Sequence, residues 1–302
     1  MPIFKKPKIW ILGAALFLGI LALILVIFRP NEEKTIGLYG FDPNSSDTLQ
    51  IHQALEEGGY SLYYANALED LQNTQCSAWL VRSSSDLFAE KIRSILGSKA
   101  IFIGNKPTLS QPVRFVGVDM VEAGKQTIEL LAKLPNYGDT NEDGTVSCLL
   151  LTAPEGYKEK TDWERGLYAG LSESRLNYVV LDTLSCSLTE DAARIAISSS
   201  LSVYGRDIEV IMASSEVLAA GAAQAIANGG WEISSDLYLL STGYTVDAIN
   251  ALGNRQRSGL VYANGEDFSK LLLQAIADTL NGKPPKDYLL PFKLYHNAAP
   301  IH

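Results

Sequence analysis

The chain has 302 residues, 47% of them hydrophobic and 20% charged, with 25 Lys and Arg against 34 Asp and Glu for a formal net charge of -9. That composition excludes a disordered or collagen-like chain, and the acidic balance argues against nucleic-acid binding, which needs basic surface to meet phosphate. Residues 1–30 hold Lys5, Lys6, Lys8 and Arg29 and no acid, so removing these four charges leaves -13 on the remaining 272 residues, enough for two ordinary domains or one large one.

Residues 9–28 form an uncharged apolar run of 20. At about 1.5 Å per residue, a helix of that length spans the roughly 30 Å hydrocarbon layer. The run reads as a transmembrane signal anchor. The competing reading is a cleaved signal peptide, but that has an apolar core of about 7–15 residues and a small-residue cleavage site. Here residues 24–28 are bulky up to Arg29 and Pro30. Three lysines precede the run, while Arg29, Glu32 and Glu33 follow it, so the positive-inside rule keeps the tail 1–8 cytoplasmic. The expected location is a single-pass cell-membrane protein with its bulk outside.

After a spacer at 29–34, apolar strand, turn and amphipathic helix alternate with the period of a parallel α/β sheet. Strands are expected over 35–41, 60–64, 78–81 and 100–103. Ser46 and Asp47 are expected to cap a helix that runs to Glu57 and stops at Gly58 and Gly59, and a second helix covers 86–96. The next set comprises helix 121–134, strand 146–151, helix 161–174, strand 178–181, helix 190–201, strand 209–213, helix 216–228, strand 237–241 and helix 246–252. Strand 259–262, helix 268–280 and strand 288–294 close the chain. Two successive α/β sets imply two similar lobes, with the chain crossing between them more than once.

No GxGxxG follows a strand and no GxxxxGK[ST] is present, so nucleotide binding by a standard motif is unsupported. The only histidines are His52, His296 and His302, and neither HExxH nor GxSxG occurs, so the chain reads as something other than an enzyme. Cys148 falls in an expected strand as a buried thiol, whereas Cys76 and Cys186 fall in loops as free ones.

The most specific local signal is the run Asp139, Thr140, Asn141, Glu142, Asp143, Gly144, Thr145, Val146, Ser147. Oxygen side chains at the first, third and fifth positions, glycine at the sixth and a carbonyl at the seventh suit calcium, as at the start of an EF-hand loop. The twelfth position, where a bidentate glutamate belongs, is Leu150. Either the loop is a polar turn without metal, or the missing carboxylate comes from elsewhere in the chain.

Several segments together resemble the type I periplasmic sugar-binding proteins, and within them the galactose- and glucose-binding members. They are IFIGNKP (101–107), FVGVD (115–119), the acidic loop, LDT (181–183), EVIMASSEVLAAGA (209–222) and NGKP (281–284), and the resemblance runs from Ile36 to about Asn297. It implies a two-lobe α/β fold with two Rossmann-like parallel sheets joined by a three-strand hinge. The lobes would be 35–117 with 265–290 and 119–263 with 291–302. It also implies a structural calcium held by Asp139, Asn141, Asp143, Thr145 and Ser147, with Glu209 as the distant bidentate ligand. Ser147 is shorter than the family's usual amide, so water can take that place.

For the ligand, the resemblance places Asn105 and Arg165 on the family's sugar-binding asparagine and arginine. Elsewhere the shell departs. The family's first aspartate and aromatic fall on Pro43 and Ser45, with Asp42 and Phe41 near enough to substitute. Its histidine and next aspartate fall near Tyr157 and Glu159, its stacking tryptophan on Cys186, its second asparagine on Ser215 and its late aspartate on Gly243. Trp163, Tyr157 and Tyr244 are candidates for a replacement aromatic wall. The implied function is a membrane-anchored extracytoplasmic solute-binding protein that takes a small polar ligand, a carbohydrate, to an ABC-type importer or a membrane sensor. The alternative is a binding-protein fold that has lost its ligand and serves as a surface scaffold.

Overall fold

A computed structural model describes residues 34–83, 85–104 and 106–297. The expected membrane segment, 9–28, lies outside them, and among the described residues no helix is long and apolar enough to cross a membrane.

The chain begins with β1 (Thr35–Tyr39), α1 (Ser46–Glu57), β2 (Ser61–Ala65), α2 (Asp70–Asn73), β3 (Ala78–Val81), α3 (Asp86–Leu96), β4 (Ala100–Ile103) and β5 (Arg114–Gly117). A second set follows: α4 (Met120–Leu131), β6 (Val146–Thr152), α5 (Lys158–Glu173), β7 (Tyr178–Ser185), α6 (Glu190–Tyr204), β8 (Val210–Ala213), α7 (Glu216–Asn228), β9 (Tyr238–Gly243), α8 (Val246–Gly253) and β10 (Gly259–Ala263). Helix α9 (Gly265–Leu280) and strands β11 (Asp287–Leu289) and β12 (Phe292–His296) complete the chain.

The strands form two six-stranded sheets, in the orders β11-β5-β4-β3-β1-β2 and β12-β10-β9-β8-β6-β7. All pairings are parallel except that of β12 with β10. The chain therefore passes between lobes after β5 at Val118 and Asp119, after β10 at Asn264, and between β11 and β12 at Leu290 and Pro291. This is the two-lobe α/β architecture expected from the alternation of elements.

Inner strands such as AWLV, AIFI and VIMA are buried throughout, as strands covered on both faces must be, whereas the edge strands β2 and β7 are only partly buried. Alternation then divides the side chains between two faces of each sheet. In the first lobe Leu38, Leu80 and Ile101 pack toward α1 and α9, and Trp79, Val81 and Phe102 pack with Ala89 and Ile92 of α3. In the second lobe Cys148, Leu150 and Met212 pack with α4 and α5, and Leu149, Leu151 and Ile211 with α6 and α7. Helices α4 and α5 cross at glycines: a Cβ on Gly166 would stand 1.8 Å from the Val121 carbonyl oxygen, and one on Gly124 2.1 Å from that of Trp163. That contact draws α5, which carries Arg165, against the start of α4 beside the first crossover.

Three expectations change. The strand anticipated over 288–294 is two strands, β11 and β12, which break at Leu290 and Pro291 and enter different sheets. Strand β5 has no counterpart in the apolar periodicity, because Arg114 opens it. The final helix starts at Gly265 rather than 268, directly after the second crossover.

Candidate functional site

The carboxyl ends of parallel strands face the space between lobes, where ligands of open α/β folds are held. A cleft of ≈ 690 Å³ lies there. Its walls come from the loop after β4 (Gly104, Lys106 and onward), the first crossover (Val118 to Val121), the start of α5 (Lys158, Glu159, Asp162, Arg165) and the segment around β11 (Lys286, Asp287). A larger concavity of ≈ 1150 Å³ lies against α7, α8 and the start of β9, but one lobe alone lines it.

The cleft charges are largely paired with one another. Lys106 pairs with Asp287, and Lys158 pairs with Asp162. Asp162 also meets Arg165, Oδ1 to Nη2, at 2.9 Å. Asp119 caps α4, its Oδ1 accepting from the Val121 and Glu122 N–H groups at 2.9 and 3.2 Å. Arg165 keeps 62% of its side chain exposed, so its pair with Asp162 is of the weak, screened kind and the guanidinium is free to turn toward a ligand.

Of the six residues expected to touch ligand, Arg165 lines this cleft. Asn105 lies outside the described residues, but its neighbours Gly104 and Lys106 line the cleft. Phe41, Asp42, Tyr157 and Ser215 are not among its walls. Phe41 packs beside the first-lobe core with the Arg82 guanidinium 4.7 Å from its ring centroid, and Asp42 Oδ1 accepts from the Asn44 N–H. Tyr157 is the exposed N-cap position of α5, and the Ser215 hydroxyl accepts from the Leu218 N–H at the start of α7. Trp163 is corrected: it is fully buried in the core beneath α5 and cannot form a cleft wall. The ion-pairing residues Lys106, Lys158, Asp162 and Asp287 were not anticipated: Lys158 and Asp162 sit four apart on α5, a local spacing that could have marked them, whereas Lys106 and Asp287 meet only through tertiary structure.

The acidic loop lies at the base of the second lobe. Asp139 Oδ2 accepts from Gly144 N–H at 2.9 Å, Asn141 Oδ1 from Asp143 N–H at 2.8 Å, and Asp143 Oδ1 from Thr145 N–H at 2.8 Å. Gly144 takes the bend at φ +85°, a conformation that favours glycine. Glu209, just before β8 and fully buried, reaches into this loop. Its Oε1 accepts from the Thr140 and Asn141 N–H groups at 2.7 and 3.1 Å, and its Oε2 from Ser147 N–H at 2.8 Å. Asp139 Oδ1 is buried and has no donor among the described residues, the kind of orphaned acceptor that a hard cation satisfies. Among the described residues, however, no group of three or more His, Cys, Asp or Glu side chains converges as a metal cluster. The residues fit a calcium ion in type and in this one orphaned oxygen, while the loop's N–H groups occupy the Asp143 and Glu209 carboxylates.

Next to the loop, burial and then the Glu209 charge push the Cys148 thiol up to about 12. All three cysteines are free, with Cys76 and Cys148 buried.

No family model and no curated protein matches the chain. Solved structures do match in fold. A Mycobacterium smegmatis protein in complex with β-D-fucofuranose superposes with a TM-score of 0.74 at 18% identity, covering 88% of this chain and 92% of that one. GanP, a glucose-galactose binding protein from Geobacillus stearothermophilus, gives 0.72 at 15% identity over 88% and 98%. XylFII in complex with LytSN gives 0.71 at 16% over 88% and 98%. The chain shares the two-lobe fold of these solved structures.

Proposed function

We propose that the chain is a solute-binding protein that holds a carbohydrate between its lobes and performs no chemistry on it. The observation that carries this reading is the cleft itself: it lies between two lobes joined by three crossovers, at the strand ends, with Arg165 exposed on its wall. Closure about the crossovers would remove the ligand from water. The neighbours' sugar ligands support the carbohydrate class. The apolar run 9–28 supports anchorage as a single-pass protein with its N-terminus cytoplasmic; a neighbour solved with a second protein, LytSN, supports a protein partner, and another named as an ABC transporter solute-binding protein supports an ABC-type importer over a membrane sensor as that partner. The lobe limits 35–117 with 265–290 and 119–263 with 291–302 belong to this reading. In the test, the protein is titrated calorimetrically with a panel of pentoses, hexoses and cyclitols while X-ray scattering follows its radius. Binding with contraction supports the reading, and no heat from any member refutes it.

A second reading is a scaffold that has lost its ligand. It is favoured by the mutual pairing of Lys106 with Asp287 and of Lys158 and Arg165 with Asp162, and a sugar that closes the lobes eliminates it.

Within the same proposal, calcium would be held by Asp139, Asn141, Asp143, the Thr145 carbonyl, Ser147 or a water, and Glu209, and would tie the loop to the sheet. The orphaned Asp139 Oδ1 supports this. A chelator should lower the melting temperature and calcium restore it. An unchanged melting temperature removes the ion from the account.

A further inference from the structure

Tyr244 follows β9 directly and touches the surroundings of two crossovers. Its carbonyl oxygen stands 3.3 Å from where a Cβ on Gly265 would be, one residue beyond the crossover at Asn264. Its hydroxyl donates to Met120 Sδ at 3.4 Å, and Met120 lines the cleft one residue beyond the crossover at Val118 and Asp119. The loop bearing it is held firmly, since Glu216 Oε2 accepts from the Tyr244 N–H, the Thr245 N–H and the Thr245 hydroxyl at 3.1, 3.3 and 3.1 Å.

The polar groups near this position are poorly satisfied. A thioether sulphur is a weak acceptor for a phenol. Two residues back, Thr242 is fully buried and its hydroxyl has no partner. Alternation puts Thr242 on the face of Leu240, and it lies in register with Val261. Leu240 and Val261 belong to the core cluster that also contains Trp163 and against which Met120 packs, and the Trp163 indole N–H is likewise buried without a partner. Buried polar groups are nearly always hydrogen-bonded, and the Tyr244 phenol, held by a thioether beside the cleft residue Met120, is the donor that a better oxygen acceptor would draw away. Burial, and then the Glu159 and Glu216 carboxylates, push the Tyr244 phenol up from its ordinary value, so it remains a donor at neutral pH.

We propose that Tyr244, which stands behind Met120 of the cleft wall, is a ligand-contact residue whose hydroxyl leaves the Met120 thioether for a hydroxyl oxygen of the bound carbohydrate. Because Tyr244 meets Met120 and Gly265, each one residue beyond a crossover, that exchange also couples occupancy of the cleft to the hinge. The inference rests on carbohydrate being the ligand.

In the test, D-glucose, D-allose, D-arabinose and myo-inositol are titrated into the full chain, into Tyr244→Phe and into Met120→Leu, with ligand-free melting recorded for each. Tyr244→Phe keeps the ring and should weaken the best of these ligands about five- to tenfold, the loss of one hydrogen bond, with ligand-free melting unchanged. Met120→Leu removes the competing acceptor and should tighten the same ligand, which keeps the inference testable should the tyrosine variant misfold. Wild-type affinity in Tyr244→Phe, or no tightening in Met120→Leu, overturns the role of Tyr244 and leaves carbohydrate binding standing. No binding by the wild-type chain overturns both.

Discussion

Replacing Glu209 by alanine removes the acceptor of three backbone N–H groups, those of Thr140, Asn141 and Ser147, from a fully buried position. Asn141 is exposed, so water can take over its N–H, whereas Thr140 and Ser147 are half-buried and are left short of an acceptor. With roughly 1–3 kcal/mol for each of the two donors so stranded, the loss comes to about 2–6 kcal/mol. At roughly 2–4 °C per kcal/mol for a domain of this size, melting should fall by roughly 4–24 °C. Circular-dichroism melts of wild type and Glu209→Ala, each in chelator and in calcium, separate two roles of the residue. The hydrogen bonds need no ion, so the deficit should persist in chelator and grow in calcium if the ion also uses this carboxylate. A deficit below about 1 kcal/mol in chelator would refute the clamp derived from the three N–H bonds.

Three further outcomes are expected. Gly166→Ala, whose Cβ would meet the Val121 carbonyl oxygen at 1.8 Å, should cost at least about 3 kcal/mol, read as a lower urea midpoint; a wild-type midpoint would refute the close crossing of α4 and α5. Cys148 should resist alkylation at pH 8 while Cys186 reacts, read by peptide mass spectrometry, because only the thiolate attacks and Cys148 is held to about 12. Its raised value also means that the stability from keeping this thiol neutral is complete below an ordinary thiol's roughly 8.5 and is lost as pH climbs toward 12. Arg165→Ala should change stability by less than about 1 kcal/mol, since its ion pair is exposed, yet weaken carbohydrate by about tenfold or more; comparable losses in melting and affinity would place the residue in the framework instead.

Most elements were legible because their signals are local. Runs such as AWLV and AIFI read as buried strands and are so, and the helix over 216–228 follows from residues within one or two turns of each other. Strand β5 was hidden because Arg114 looks like a surface residue. It is 1% exposed, and its guanidinium donates to Thr279 Oγ1 at 2.8 Å and the Lys283 carbonyl at 2.6 Å, partners more than 160 residues away. The division of β11 from β12 was hidden from periodicity for a related reason, since Pro291 marks a break but which sheet accepts each half depends on distant strands. Trp163 stood open between cleft wall and core because an aromatic near the start of a helix faces either according to how that helix is rotated, and the glycine contact of α5 with α4 sets that rotation toward the core.

Local order along the chain was enough to establish the apolar run 9–28, the alternation that builds two α/β lobes, and the spacing of Asp139, Asn141, Asp143 and Gly144 that closes into successive side-chain-to-backbone turns. All three depend on neighbours a few residues apart. Tertiary structure alone decided that Lys106 pairs with Asp287, that Glu209 satisfies the loop's N–H groups, and that Tyr244 rests against Met120 of the cleft wall. Each of these joins residues more than sixty positions apart in the chain, and only packing brings them into contact.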